Sequence, residues 1–133
     1  MVCLYVLNQA SHQLDELVSL GARSFLFLTV PPTDRAPLSL VQGPQAAVFM
    51  HTIVSQYNSE LQTAIANFQT NNSGTVQDAR VFDTQPVFNF LLDNADSIGY
   101  VNVTGFCEGY GGGIGDFGCD SQIEGCAPIA SYL

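Results

Sequence analysis

The polar triplet Thr33-Asp34-Arg35 directly follows two prolines and an apolar run. It sets a hydroxyl, a carboxylate and a guanidinium together at the exit of what reads as a buried strand. Ligands of open α/β sheets bind beyond the carboxyl ends of the strands, so these three residues are expected to line a substrate cleft. The plainer alternative is that Asp34 and Arg35 pair with each other on a surface loop whose shape the prolines fix. His12 and His51 fall on predicted helices, with no cysteine or carboxylate at metal-ligand spacing, and are expected to be ordinary helix residues. None of the ten serines stands in a Gly-x-Ser-x-Gly elbow. Gly113-Ile114-Gly115-Asp116-Phe117-Gly118 matches Gly-x-Gly-x-x-Gly, but lacks the preceding strand and following helix that hold a pyrophosphate. Its Asp116-Phe117-Gly118 triplet stands without the other signatures of a kinase. Asp116, Asp120 and Glu124 offer oxygen atoms at a spacing that fits no EF-hand loop, so a solvated acidic loop is expected. Neither a metal nor a cofactor is implied. Cys107 is followed by Glu108, whose charge disfavours a thiolate nucleophile, and a disulfide is its expected role.

The elements that would position these residues follow from periodicity. Leu4, Leu7, Leu14, Leu17 and Val18 keep helical spacing between Leu4 and Leu20, with Asn8, Gln13, Asp15 and Glu16 on other faces. Gly21 then supplies a residue that tolerates the left-handed cap. Phe25 to Val30 carries no charge and little alternation, the pattern of a strand covered on both faces. Pro31 and Pro32 donate no ladder hydrogen bond, so the strand stops there. A long loop leads to Gly43, and Pro44 suits the first turn of a helix. The stripe Phe49, Ile53, Tyr57, Leu61, Ala64, Ile65 and Phe68 predicts one amphipathic helix ending between Asn71 and Gly74. Ala79 to Phe82 reads as a second strand. Asp83 or Thr84 is placed to cap a further helix that carries Pro86 in its first turn and buries Val87, Phe88, Leu91 and Leu92. Beyond Gly99 the periodicity stops, leaving 99–133 as an irregular region of glycine and cysteine. Strand, crossover helix and strand make a βαβ unit, expected to be parallel and right-handed, in an α/β fold. No domain boundary is visible, so residues 1–133 read as a single, incomplete domain. One edge of the first strand would stay open and invite self-association.

A succession of short blocks runs along this frame. It comprises Gly21-Ala22-Arg23, the run Phe25 to Val30, Pro31-Pro32 and Arg35-Ala36-Pro37. Tyr57-Asn58-Ser59-Glu60-Leu61, Val81-Phe82-Asp83-Thr84, Leu91-Leu92-Asp93-Asn94-Ala95 and Asn102-Val103-Thr104-Gly105-Phe106-Cys107 follow. Over nearly the whole chain this order resembles GDSL-type (SGNH) serine esterases, most closely the fungal acetyl esterases among the carbohydrate esterases. The resemblance implies a flavodoxin-like three-layer fold around a five-stranded parallel sheet, of which the first three strands would be missing here. It also implies acyl-ester hydrolysis, in which a serine attacks the ester carbonyl, a histidine moves the proton and fixed donors hold the oxyanion. The family's Gly-Asp-Ser, Gly-x-Asn-Asp and Asp-x-x-His blocks are absent from this chain. Asp96-Ser97 and Asp120-Ser121 follow Ala95 and Cys119 rather than glycine, and Gln9 and Val48 stand three positions before the histidines. No catalytic residue can be assigned. The expectation is therefore a fragment of a secreted GDSL-type ester hydrolase, with acetylated carbohydrates among its substrates and no activity by itself. The alternative from another class is a non-catalytic extracellular binding protein built on part of the esterase fold.

Composition agrees with that frame and narrows the partners. Hydrophobic residues make up 47% and charged residues 11%, against roughly 25% charged in ordinary soluble domains. Such a balance suits a slice through a larger core, or a secreted protein of low surface charge. There is no lysine, and Arg23, Arg35 and Arg80 face twelve acidic residues, for a net charge of −9. Nucleic acid and anionic membranes would be repelled. No apolar run approaches the roughly 20 residues of a membrane span. Val2 to Leu7 is too short for a signal-peptide core and lacks a basic lead-in, so a signal, if any, lies outside this chain. Two N-glycosylation sequons, starting at Asn71 and Asn102, agree with an extracellular destination. Of the four cysteines, Cys107 and Cys126 are expected to be joined, tying down the glycine-rich loop, with Cys119 competing for either partner and Cys3 unpaired.

Overall fold

The computed structural model describes residues 12–100, 102–105, 107 and 124–127. In order they form helix α1 (12–19), strand β1 (Ser24–Leu28), a 3-10 turn (Thr33–Arg35) and helices α2 (Pro37–Val41) and α3 (Pro44–Asn71). Strand β2 (Asp78–Phe82) and helices α4 (Gln85–Asp93) and α5 (Ala95–Ile98) complete the order. The chain divides into two compact units, Met1–Pro31 with Thr52–Gln85 and Pro32–His51 with Pro86–Leu133.

In the first unit, α1 ends as its glycine predicts. Gly21 adopts φ +104°, its N–H donates to Val18 O (3.1 Å), and the Ala22 N–H reaches back to Leu17 O (2.9 Å). These are the two bonds of a Schellman cap, which needs a left-handed residue that glycine adopts without a Cβ penalty. Arg23 reinforces the end: its guanidinium donates to Val18 O and Ala22 O, both at 2.8 Å. The chain then turns into β1.

Strands β1 and β2 pair in parallel with Ser24 opposite Asp78 and Leu28 opposite Phe82, as the long helical crossover between them requires. Among the described residues the sheet has only these two strands. Because side chains alternate along a strand, Phe25, Phe27, Ala79 and Val81 share one face. There they pack with Leu61, Ile65 and Val76, flanked by Leu14, Val18, Tyr57, Ala64 and Phe68. The Phe68 ring meets Phe25 edge-on at 5.3 Å, a geometry that aligns ring edge with ring face.

The expectation of cover on both faces fails. Leu26, Leu28 and Phe82 are 66%, 59% and 49% exposed on the opposite face, where Arg80 turns back along its own strand to the Asp78 carboxylate at 2.8 Å. The physical reason is that α1 and α3 contribute to the same core. An uncharged run records that a strand is apolar, not how many layers cover it.

Helix α3 begins at Pro44 and ends at Asn71, within the predicted bounds. Its buried line is Val54, Asn58, Leu61 and Ile65, at steps of four, three and four. The predicted stripe holds from Tyr57 onward, whereas Phe49 is 66% exposed and Ile53 is also exposed.

The second unit corrects the long loop. Residues after Pro32 enter the 3-10 turn, and Pro37 then opens α2, where its fixed φ and missing N–H are harmless. Helix α4 buries no residue fully. Val87 and Phe88, expected inside, are exposed, while Leu91 and Leu92 are half-buried. Cys107 and Cys126 form a disulfide with Cα atoms 5.9 Å apart. The predicted glycine-rich stretch, Cys3 and Cys119 lie outside the described residues.

Candidate functional site

At the carboxyl ends of the strands, within the first unit, six residues replace the sheet ladder with a side-chain network. Strand β1 stops at Leu28, two residues before the predicted end, yet pairing continues through the Thr29 N–H to Phe82 O (3.0 Å). Thr84 N–H donates to Thr29 Oγ1 (2.8 Å), and the Thr84 hydroxyl donates to Thr29 O (2.8 Å). The remaining hydroxyl proton, on Thr29, has the Asp83 carboxylate at 3.1 Å. Both threonines are buried, at 3% and 5% exposure. Asp83 also accepts the Gln85 N–H at 3.1 Å, so of the two residues expected to cap α4 it is Asp83 whose side chain does so. Every donor in this knot already has an acceptor, and the threonines are closed to a substrate. The network fixes strand ends and leaves no free nucleophile.

Asn58 completes it. From α3 its Oδ1 accepts the Val30 N–H (2.8 Å) and its Nδ2 donates to Val30 O (2.9 Å), while Gln85 Nε2 reaches the same carbonyl at 2.7 Å. A single buried amide thus satisfies both backbone groups of the residue entering the Pro-Pro step, where a ladder partner is lacking. Hydropathy had assigned Asn58 to no role. The signal was present in its position, four residues after Val54 and three before Leu61, on the buried line itself.

The three cleft residues predicted from sequence lie in the second unit, on one 3-10 turn. Asp34 and Arg35 do not pair with each other. Asp34 Oδ2 lies 3.2 Å from His51 Nδ1 on α3, and the Arg35 guanidinium donates to Asn89 Oδ1 (2.7 Å) and Asp93 Oδ1 (2.6 Å) on α4. Ser39, buried in α2, donates its hydroxyl to Thr33 O at 2.7 Å. Thr33 Oγ1 is enclosed without a hydrogen-bond partner. The turn is therefore fastened by side-chain contacts at two points and keeps one hydroxyl unengaged.

His51 lies on a helix, as expected, and meets a partner that local spacing does not show. Its contact with Asp34 spans 17 positions. The side chain is 70% exposed, and a carboxylate at one ring nitrogen is an arrangement that can orient an imidazole. Among the described residues no serine hydroxyl is hydrogen-bonded to His51, and the Ser39 hydroxyl donates its hydrogen bond to Thr33 O. The arrangement can shape a surface and accept a proton, but it holds no nucleophile. His12, at the start of α1, is exposed. Among the described residues no three His, Cys, Asp or Glu side chains converge as a metal site. No helix of these residues is long and apolar enough to cross a membrane.

The sequon asparagines also differ. Asn71 is exposed at the end of α3. Asn102 is half-buried, and its Oδ1 accepts the Thr104 N–H (3.0 Å) and Gly105 N–H (2.8 Å).

Two comparisons bear on what such a frame belongs to. No family model matches the chain. Over 93 residues, 69% of the chain, it is 34% identical to an acetylesterase of Thermothelomyces thermophilus, of which the matched region is 30%. The chain therefore spans about a third of that relative's length, and the similarity relates it to an esterase.

Proposed function

We propose that this chain is the scaffold and cleft-wall portion of a secreted GDSL-type (SGNH) acyl-ester hydrolase, with acetyl esters, including those of carbohydrates, as its substrate class. The observation that carries this reading is the identity shared with an acetylesterase along 93 residues. The parallel pair β1 and β2 and the connecting helix α3 are what a segment of a doubly covered α/β sheet would keep. A sheet with Leu26, Leu28 and Phe82 open on one face agrees with a domain that lacks a layer, and with self-association through its unpaired edges. The disulfide between Cys107 and Cys126 agrees with an oxidising, extracellular destination.

In that enzyme the present residues hold and orient. Asn58, Gln85 and the Thr29–Thr84 knot set the direction in which the chain leaves the sheet, and Thr33, Asp34 and Arg35 furnish the polar wall. Attack on the acyl carbonyl and stabilisation of its oxyanion fall to blocks this chain does not contain. The chain alone should not hydrolyse esters, because loss of triad members removes several orders of magnitude of rate.

Hydrolysis of a short aryl acetate, with labelling by a fluorophosphonate, tests this reading on two proteins. One is the chain itself, and the other is the chain extended by coding sequence from its genomic flanks. Turnover and one labelled serine in the extended protein only are expected. Robust turnover by the chain alone, with stoichiometric labelling of one of its own serines, would overturn the proposal.

A further inference from the structure

The two sequons are equivalent as sequence and different as structure. Asn71 closes α3 and is exposed, and the turn at 72–75 carries the rest of its motif. Asn72 is the residue that turns inward, donating from Nδ2 to Phe68 O at 3.0 Å, and Gly74 has open space where a Cβ would stand. An open polar concavity begins at this sequon's own Ser73 and continues past Thr75 and Gln77 to Arg23. Arg23 and Gln77 immediately precede β1 and β2. A substituent on Asn71 would therefore sit at the amino ends of the strands, opposite the Thr29–Thr84 knot at their carboxyl ends. The concavity beside it is lined by Arg23, Ser73, Thr75 and Gln77, with the core residue Val76 also in its wall.

At Asn102 the opposite holds. Its Oδ1 is bound by the N–H groups of Thr104 and Gly105, and the Thr104 hydroxyl that completes the sequon lies 3.3 Å from the same oxygen. The amide nitrogen, to which a sugar would be attached, lies 3.0 Å from the position a Cβ would take on Gly105. A Cβ there would press on the bare NH2 group more tightly than ordinary contact. A sugar on that nitrogen would compete with the backbone of the turn on this side.

We propose that Asn71 is an N-glycosylation site and that Asn102 remains unmodified, so that the chain carries its N-linked oligosaccharide at the end of the sheet remote from the strand exits. An N-linked glycan is bulky and solubilising and belongs on an exposed surface. The proposal rests on the secretory part of the functional reading, and the experiment separates the two by imposing the route. The full 133-residue chain is expressed in a glycosylating eukaryotic host behind a cleavable secretion leader. Both the medium and the membrane-retained fraction are then treated with peptide N-glycosidase in heavy-oxygen water, and the peptides are read by mass spectrometry. Heavy-oxygen aspartate at position 71 and unchanged asparagine at 102 are expected. Asn71→Gln should abolish the electrophoretic shift produced by the glycosidase, and Asn102→Gln should leave it intact. Bare Asn71 in both fractions would overturn the site assignment, and a glycan at Asn102 would overturn the selectivity argument. Neither outcome depends on ester hydrolysis or on where the native chain resides.

Discussion

Replacing Asn58 by leucine tests whether one amide fixes the exit of β1. The substitution keeps the approximate size of the side chain and removes two hydrogen bonds, from the Val30 N–H (2.8 Å) and to Val30 O (2.9 Å). The carbonyl retains Gln85 Nε2 at 2.7 Å, so only the N–H is orphaned. An unsatisfied buried donor costs about 1–3 kcal/mol and an ordinary lost hydrogen bond about 1 kcal/mol. Val30 is half-buried, so water recovers part of the first term, and a net loss of about 2 kcal/mol is expected. Gln85→Ala alone should cost less, because the carbonyl then keeps Asn58. Together the two substitutions strip Val30 O of both donors, and their combined effect should exceed the sum by about 1 kcal/mol. Urea unfolding followed by far-ultraviolet circular dichroism gives the energies, and hydrogen exchange at the Val30 amide reports the local opening. A loss below about 0.5 kcal/mol for Asn58→Leu, within the range of an ordinary surface change, would refute the reasoning. So would strict additivity with Gln85→Ala.

Three further outcomes follow from other features. Thr29→Val leaves the buried Thr84 N–H without its acceptor and should cost about 2–3 kcal/mol in the same unfolding assay, whereas Thr84→Ser keeps the hydroxyl and should cost under about 1 kcal/mol. The pair Leu26→Glu and Leu28→Lys, on the uncovered sheet face, should leave the unfolding midpoint nearly unchanged while lowering light scattering of the concentrated chain. An unfolding free energy lowered by about 2 kcal/mol or more would show instead that this face is packed. Non-reducing peptide mapping should yield Cys107 joined to Cys126, a closed loop contributing about 3 kcal/mol in the chain-entropy account. Either cysteine recovered in a bridge to Cys119 would contradict it.

What could be read from sequence was whatever depends on period and punctuation. Gly21 and Pro44 mark real helix ends, the first because glycine takes the left-handed cap without a Cβ penalty and the second because its fixed φ suits a first turn, and the spacing from Tyr57 to Phe68 describes a real helix face. The number of layers on β1 was illegible, since Leu26 and Phe27 are equally apolar and only their neighbours distinguish them. Buried polar residues were legible only in part: Thr29 fell within a strand expected to be covered and Thr84 was one of two cap candidates, while hydropathy gave Asn58 no buried role, and the structure uses all three where the ladder ends. Thr29 did interrupt an apolar run, and Asn58 did sit on an apolar line, so both were visible as exceptions to a pattern. The contacts of Asp34 with His51 and of Arg35 with Asn89 and Asp93 were not, because they join separate elements. The exposure of Val87 and Phe88 shows the converse, that an amphipathic helix face need not be covered by this chain.

The three arginines bear on how ligands come and go. Arg23 is turned onto the carbonyls of Val18 and Ala22, Arg35 onto Asn89 and Asp93, and Arg80 onto Asp78, so each guanidinium is already held by an acceptor of its own chain. Arg23 keeps its charge against neutral carbonyls, and the charge of −9 that remains with all three arginines counted still makes the chain's field negative. A neutral solute crosses such a field without hindrance, while a small anion is repelled over about one Debye length, roughly 8 Å at physiological ionic strength. Acetate should therefore approach this chain more readily as added salt screens that repulsion.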